Sequence, residues 1–189
     1  TDNLNFALDS VSKCSSGVYL AFHHRLIHAQ TALKRHTTEL DAFTGIDANQ
    51  AIYANTEAFK IDDQLIFKAQ RFNCLNIMWQ PIAVDAQIQN LEQLIENPPH
   101  VLILQGFGTG NIAVNDKLIQ VLKSIQAKNC AVIINSQVPF GSLDQRYAVS
   151  EWITHAKFLV SNRFSHADLY AKALKMYLKY DSVEQWHDH

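Results

Sequence analysis

The chain has 189 residues, of which 48% are hydrophobic and 18% are charged, the composition of an ordinary soluble globular protein. Its formal net charge of −2 argues against a nucleic-acid partner, because neutralising phosphates requires a surplus of Lys and Arg on one face. No apolar run approaches the roughly 20 residues that a membrane span needs, and the first residues, Thr1 to Leu4, do not resemble a signal peptide.

The cysteines are three in number and contain no CxxC pair, which argues against a disulfide framework and against a zinc site. They are Cys14, Cys74 and Cys130. Reduced thiols are typical of cytoplasmic proteins, so we predict a cytoplasmic location.

Three histidines that lie close together in the sequence, His23, His24 and His28, suggest metal ligands. However, His23 and His24 would point to opposite faces of a strand, and no carboxylate stands at ligand spacing. We therefore expect strand and turn residues here, and neither a metal nor a cofactor.

The first third of the chain predicts a helix followed by two strands. Residues 3–13 place three apolar side chains at helical spacing, namely Leu4, Leu8 and Val11. After a Ser-Ser-Gly turn, Val18 to Phe22 is rich in β-forming residues, and the next two histidines would turn it into a second strand. From Lys34 to Phe72 the periodicity fades, which predicts an irregular connection with a small hairpin near Phe59 to Phe67.

The rest of the chain alternates strands with amphipathic helices. The predicted strands are Asn76–Trp79, Val101–Leu104, Ala131–Ile134 and Phe158–Val160. The predicted helices are Val84–Glu96, Asn115–Lys128, Asp144–His155 and Ser165–Tyr180. This alternation indicates an α/β fold, a parallel sheet with helices on both faces. The two wholly apolar strands, Val101–Leu104 and Ala131–Ile134, should be adjacent at its centre.

Two loops follow these central strands. Ligands of open α/β sheets bind beyond the carboxyl ends of the strands, so both loops are candidate site segments. Gly106 to Asn111 contains three glycines, which let the backbone approach a ligand closely, although a tight turn alone would explain them equally well. Ser136 to Ser142 supplies hydroxyl and amide groups, and we expect Asn111 to lie near Ser136.

Three stretches together resemble the C-terminal portion of the L-asparaginases of the bacterial type I kind. Leu102–Asn111 resembles the family's ILxxxGxGN stretch, and Asn135–Asp144 its SQCPxGxVD stretch. Leu26–Phe43 is similar to its LxRGxRxxKxHxxxFDAF stretch. Their order and spacing agree, and the resemblance runs from about Asn3 to Tyr180.

The resemblance implies a two-domain amidohydrolase that converts L-asparagine to L-aspartate and ammonia through a threonine nucleophile. The catalytic lysine of the family falls on Lys34, and a substrate-binding asparagine, often shared with the neighbouring subunit, falls on Asn111. A homo-oligomer, a dimer or a tetramer, is implied as well. The family's threonines stand in TGGT and HGTDT loops, and neither motif occurs in these 189 residues. We expect these residues alone to be inactive and the threonines to lie upstream.

The sequence departs from the family at several positions. Thr31 stands in the neighbourhood of a family arginine, Gln105 replaces the arginine after "IL", and Val138 replaces a cysteine. Ala156 to Ser165 has lost the glycines and the aspartate of the family's AGVIxGxDMT stretch. The change at Gln105 argues against effector regulation by asparagine.

The resemblance also predicts the domain organisation. Residues 1–72 would end the N-terminal catalytic domain and its linker, and residues 73–189 would form the C-terminal α/β domain, three-layered and flavodoxin- or Rossmann-like. Two other hypotheses stay open. One is a non-catalytic ligand-binding or regulatory α/β domain, and the other is the asparaginase-like subunit of a tRNA-dependent amidotransferase.

Overall fold

The structure, a computed structural model, describes residues 2–52, 60–138, 151–161 and 165–188. The chain forms two compact units. The first comprises Thr1–Lys60 with Phe164–Asp168, and the second comprises Ile61–Arg163 with Leu169–His189. The assignment of residues 1–72 to the end of an N-terminal catalytic domain and its linker, and of residues 73–189 to a C-terminal α/β domain, remains a prediction.

The first unit is built on two small antiparallel hairpins. Its elements are α1 (Asp2–Val11), β1 (Tyr19–Phe22), β2 (Arg25–His28), a 3-10 turn (Ala29–Thr31), β3 (Leu33–Lys34) and β4 (Phe43–Thr44). Strands β1 and β2 pair antiparallel. His23 and His24 join them with φ angles of 48° and 57°, the left-handed conformation that a two-residue hairpin turn needs. The predicted turn at these histidines is confirmed.

Helix α1 has the predicted apolar stripe, but the stripe is exposed. Leu4, Leu8 and Val11 are 63%, 64% and 71% accessible. The helix is held to the β1–β2 hairpin by other groups: Asn3 Oδ1 accepts the His23 N–H at 2.9 Å. Periodicity therefore indicated the helix correctly, while the face that packs is a different one.

The hairpin predicted near Phe59 to Phe67 is wrong over the part that the structure describes. Residues 53–59 lie outside the described ranges, and Asp63–Gln70 forms a helix, α2. Asp62 caps this helix, because its side chain accepts the Leu65 N–H at 2.9 Å. An aspartate just before the helix was the sequence signal for this start.

The second unit contains a parallel sheet of four strands in the order β5-β6-β7-β8. They are β5 (Cys74–Met78), β6 (Val101–Gly106), β7 (Ala131–Ser136) and β8 (Leu159–Val160). The helices are α3 (Val84–Glu92), α4 (Asp116–Gln126), α5 (Glu151–Ala156) and α6 (His166–Lys179), followed by a 3-10 helix (Val183–Asp188). Residues 144–150 of the predicted helix Asp144–His155 lie outside the described residues.

Strands β6 and β7 are adjacent and parallel, as predicted. Their register runs from Val101 opposite Ala131 to Gly106 opposite Ser136, and every residue of both strands is buried. Hydrophobic clusters cover the two faces. Leu102 and Leu104 pack with residues of α3, α4 and α5, whereas Val101 and Ile103 pack with residues of α6. The three-layer α/β fold class is confirmed.

None of the helices that the structure describes is both long and apolar enough to cross a lipid bilayer.

Candidate active site

Lys34 lies on the second hairpin of the first unit, in strand β3. Its register partner across the hairpin is Phe43 of β4. The Lys34 ammonium lies 6.0 Å from the centre of the Phe43 ring, and that ring packs edge-on against Phe22 at 4.9 Å. The lysine is exposed, and within the described ranges its ammonium makes no ion pair. The Lys34 side chain therefore lies beside an aromatic ring and remains accessible to a reacting group.

The hairpin is closed beyond Lys34 by main-chain and ionic contacts. The Arg35 N–H donates to the Ala42 carbonyl at 2.8 Å, and the Arg35 guanidinium pairs with the Asp41 carboxylate. At the loop, His36 Nδ1 accepts the Glu39 N–H at 2.9 Å. These contacts fix the direction in which strand β3 presents Lys34.

Thr31, which stands near a family arginine, has a structural role that the sequence did not reveal. It is 5% exposed, and its hydroxyl donates to the His28 carbonyl and accepts the Ile46 N–H, both at 2.9 Å. The hydroxyl thus ties the turn before β3 to the chain after β4. A side chain on Gly45 would not fit there, because its Cβ would lie 2.4 Å from Ile27 Cγ2.

The glycine loop of the second unit folds back on strand β6. The Phe107 N–H donates to the Asn111 carbonyl at 2.8 Å, and the Asn111 N–H donates to the Phe107 carbonyl at 2.7 Å. Gly106 must lack a side chain, since a Cβ there would lie 2.5 Å from the Gly110 carbonyl oxygen. Gly108 has a φ of 50°, in the left-handed region that favours glycine.

Asn111 closes this loop and is exposed, but it does not cap the helix that follows. Asn115 does so, with its side chain accepting the Leu118 N–H at 2.9 Å. The side-chain amide of Asn111 therefore stays available at the carboxyl edge of the sheet.

The loop after β7 meets the glycine loop, as expected for neighbouring parallel strands. The Ser136 hydroxyl donates to the Gly108 carbonyl and accepts the Val138 N–H at 2.9 Å. The contact runs to Gly108 and not to Asn111. The remaining predicted residues of this loop, 139–142, lie outside the described residues.

Gln137 joins the ends of three strands, a function that sequence reasoning missed. Its main-chain N–H donates to the Gly106 carbonyl at 2.9 Å. Its side-chain amide donates to the carbonyls of Trp79 and Gln105, at 3.1 and 3.2 Å. One residue thereby holds the chain after β5, β6 and β7 together, beneath the glycine loop.

The thiols of the second unit are poor nucleophiles. Burial raises the pKa of Cys74 to about 11 and that of Cys130 to about 12, so both are protonated at neutral pH. Cys14, Cys74 and Cys130 are all free thiols. Over the described residues, no three His, Cys, Asp or Glu side chains come together as metal ligands.

Comparison with known proteins connects this geometry with one family. Residues 1–67 match the family model described as Asparaginase, N-terminal. This segment is therefore similar to the N-terminal region of asparaginases. Lys34 and its hairpin fall inside the matched segment, whereas the glycine loop and Asn111 do not.

Solved asparaginase structures share the fold of nearly the whole chain. The thermostable L-asparaginase from Thermococcus kodakarensis matches with a TM-score of 0.74 and 19% identity, over 97% of this chain and 57% of that one. L-asparaginase I from Vibrio cholerae O1 biovar eltor str. N16961 matches with a TM-score of 0.75 and 18% identity, over 97% and 58%. The chain spans somewhat more than half the length of each. Curated protein sequences give no significant match.

Lys34 belongs to the first unit and Asn111 to the second.

Proposed function

We propose that the chain is part of an L-asparaginase that hydrolyses L-asparagine to L-aspartate and ammonia. The observation that carries the proposal is Lys34. It lies in the segment that matches the asparaginase model, on a closed hairpin, as an exposed residue whose ammonium is 6.0 Å from the centre of the Phe43 ring. This supports the role that the resemblance gives it, a member of the relay that activates a threonine hydroxyl.

The proposed reaction passes through an acyl-enzyme. The relay removes the proton of the threonine hydroxyl as its oxygen attacks the side-chain amide carbon of asparagine. The C–N bond breaks, the amide nitrogen takes a proton and ammonia leaves. Water then cleaves the ester to aspartate and restores the hydroxyl. The threonines would stand on polypeptide outside these 189 residues, because neither motif that holds them occurs here.

Asn111 is the proposed substrate-binding residue of the second unit. Its exposed side chain stands at the carboxyl edge of the parallel sheet, where open α/β folds bind ligands. We further propose a homo-oligomer, a dimer or tetramer, in which the site is completed between subunits, and a cytoplasmic location, which the free thiols support. L-asparagine would be the small-molecule partner, with neither nucleic acid nor membrane involved.

The test is Lys34→Met in a protein that also carries the threonine loops. Turnover of L-asparagine should fall about 10²- to 10⁴-fold, the usual contribution of a general acid–base group, while asparagine still binds. The control is Lys13→Met, at another exposed lysine of the same unit, which should keep the rate. Equal rates for the two variants would contradict the catalytic role of Lys34.

One observation favours a second candidate, a non-catalytic ligand-binding domain. The sequence keeps the glycine loop but lacks both threonine motifs, and Gln105 replaces a family arginine. Calorimetry with L-asparagine, combined with an ammonia assay, separates the two functions. In the non-catalytic case asparagine binds, but ammonia is not released even by a longer protein that contains this chain.

A further inference from the structure

Strand β4 pairs with β3, the chain after β4 pairs with β2, and Ile46 lies where the two pairings meet. Continued beyond its two residue pairs, the register of β3 with β4 would bring Thr31 opposite Ile46. The bridge between Ile27 and Asp47 instead brings His28 opposite it. The 3-10 turn that precedes β3 takes up this difference in register. The turn therefore determines how β3 is placed against the rest of the first unit.

The Thr31 hydroxyl joins the two pairings at this point. It accepts the Ile46 N–H at 2.9 Å, while the Ile46 carbonyl accepts the His28 N–H, also at 2.9 Å. The same hydroxyl donates its proton to the His28 carbonyl at 2.9 Å. Thr31 is 5% exposed, so without the hydroxyl the Ile46 N–H would lose this acceptor where water has little access. The two bonds therefore hold the turn in one position.

Strand β3 is anchored at both ends, and Thr31 is the anchor on the side of the turn. A Cβ on Gly45 would lie 3.0 Å from Thr31 Oγ1, so the main chain of Gly45 lies directly against the hydroxyl. At the other end, the Arg35 N–H donates to the Ala42 carbonyl at 2.8 Å. The strand between the anchors has two residues and few ladder bonds of its own. Its direction is therefore set at its ends.

We propose that Thr31 is a positioning residue for Lys34, whose place it sets through the main chain of the turn and of β3. Lys34 is exposed, so its reach depends on where the main chain of β3 lies. The inference rests on the proposed function, in which Lys34 transfers a proton. A misplacement of about 1 Å can cost a catalysed reaction about 10²-fold in rate. Thr31 is buried and acts only through the lysine.

The test is Thr31→Val in a longer protein that carries the threonine loops, because valine keeps the shape of threonine and removes the hydroxyl. We expect kcat for L-asparagine to fall about 10- to 100-fold and KM to change by less than about twofold. Thr31→Ser keeps the hydroxyl and should restore kcat to within about threefold of the unmodified protein. Thr37→Val, the same change at an exposed residue of the hairpin loop, is the matched control and should keep the rate.

A double variant separates positioning from a general loss of structure. If Thr31 acts through Lys34, Thr31→Val should slow a protein that already carries Lys34→Met by less than about twofold. A general loss of structure would slow both backgrounds alike. Circular dichroism checks the folding of each variant. If Thr31→Val does not fold, Thr31→Ala takes its place with the same expectations, since alanine leaves room for a water molecule at the Ile46 N–H.

A second readout uses the 189-residue chain itself and needs no hydrolysis. With isotopically labelled methyl groups on the lysines, the ring current of Phe43, 6.0 Å away, should displace the NMR signal of Lys34. Thr31→Val should move this signal towards that of the exposed Lys13, whereas Thr31→Ser should leave it in place.

The positioning role is overturned if Thr31→Val leaves the Lys34 signal unchanged, or if it slows the Lys34→Met background as much as the unmodified one. Failure of the proposed function gives a different result, a rate that Lys34→Met leaves unchanged. In that case Thr31 has no catalysis to support, and the NMR comparison still decides whether it places Lys34.

Discussion

His100 is the residue whose protonation the structure opposes most clearly. Its Nδ1 accepts the Asn73 N–H at 2.9 Å, and its ring packs against Tyr177 at 4.4 Å between centres. Burial lowers the pKa of this imidazole from its ordinary value of 6.5, and the positive charge of Arg71 lowers it further. A proton on Nδ1 would also remove the acceptor of the Asn73 bond.

The unfolded chain should therefore bind this proton more readily than the folded one. The stabilising contribution of neutral His100 is fully present above the unfolded value of 6.5, and it is lost as the pH falls below 6.5 towards the lower pKa of the folded state. We predict that the free energy of unfolding, measured in urea, decreases over this window.

Replacing the ring by an amide tests whether His100 causes this decrease. In His100→Asn, the side-chain oxygen can accept the Asn73 N–H without titrating, so the dependence on pH below 6.5 should become shallower. His155→Asn, at an exposed position of α5, is the control and should keep the original slope. Identical slopes for the two variants would remove His100 as the cause.

At the scale of elements, the carboxyl ends of β5, β6 and β7 are joined by Gln137. Its side-chain amide nitrogen donates hydrogen bonds to the carbonyls of Trp79 and Gln105. A carboxylate in the same position would place an acceptor oxygen next to these two acceptor oxygens. We predict that Gln137→Glu lowers the free energy of unfolding by about 1–3 kcal/mol, the cost of buried polar groups left without a partner. Urea unfolding at neutral pH measures it.

Gln120→Glu, on an exposed position of α4, makes the same chemical change away from these carbonyls. Its effect on unfolding should stay within about 0.5 kcal/mol, as for most surface substitutions. Because the glycine loop rests on the same strand ends, Gln137→Glu should also speed amide exchange at Gly110 and Asn111. Unchanged exchange there would mean that the loop is held by its own hydrogen bonds alone.

The elements that were predicted correctly from the sequence are those whose residue pattern is compatible with only one structural environment. Val101 to Leu104 and Ala131 to Ile134 are wholly apolar runs, and only a central position in a parallel sheet covers both faces of such strands. Ser165, where the last helix was predicted to begin, likewise caps that helix, with Ser165 Oγ accepting the Asp168 N–H at 3.2 Å.

The predictions that failed concern elements whose packing or pairing partner the sequence does not determine. The short strands β3 and β4 have two residues each, too few to show an alternation, so the hairpin of Lys34 was taken for irregular chain. Likewise, a stripe of Leu4, Leu8 and Val11 indicates a helix but not what lies beside it. In the candidate site, the glycine loop could be predicted because its residue types demand a turn. The bonds of Thr31 and Gln137 could not, since they join residues whose proximity only the folded chain creates.

At the scale of the whole molecule, the two candidate site residues belong to different units, Lys34 to the first and Asn111 to the second. Lys34 has a fixed position, but its ammonium is a proton-transfer group and not a covalent acceptor for an acyl group. Neither TGGT nor HGTDT occurs in the chain, and the buried thiols of Cys74 and Cys130 are held in the protonated form.

We therefore predict that the purified 189-residue chain releases no measurable ammonia from L-asparagine. Without a threonine hydroxyl to activate, no acyl-enzyme forms, and Lys34 has no nucleophile whose proton it could help to transfer. A glutamate dehydrogenase-coupled assay measures the ammonia, and a longer protein that carries both threonine loops is the positive control. Steady release by the chain itself, abolished by Lys34→Met but not by Lys13→Met, would contradict the division of roles. It would show that a nucleophile within these residues completes the site.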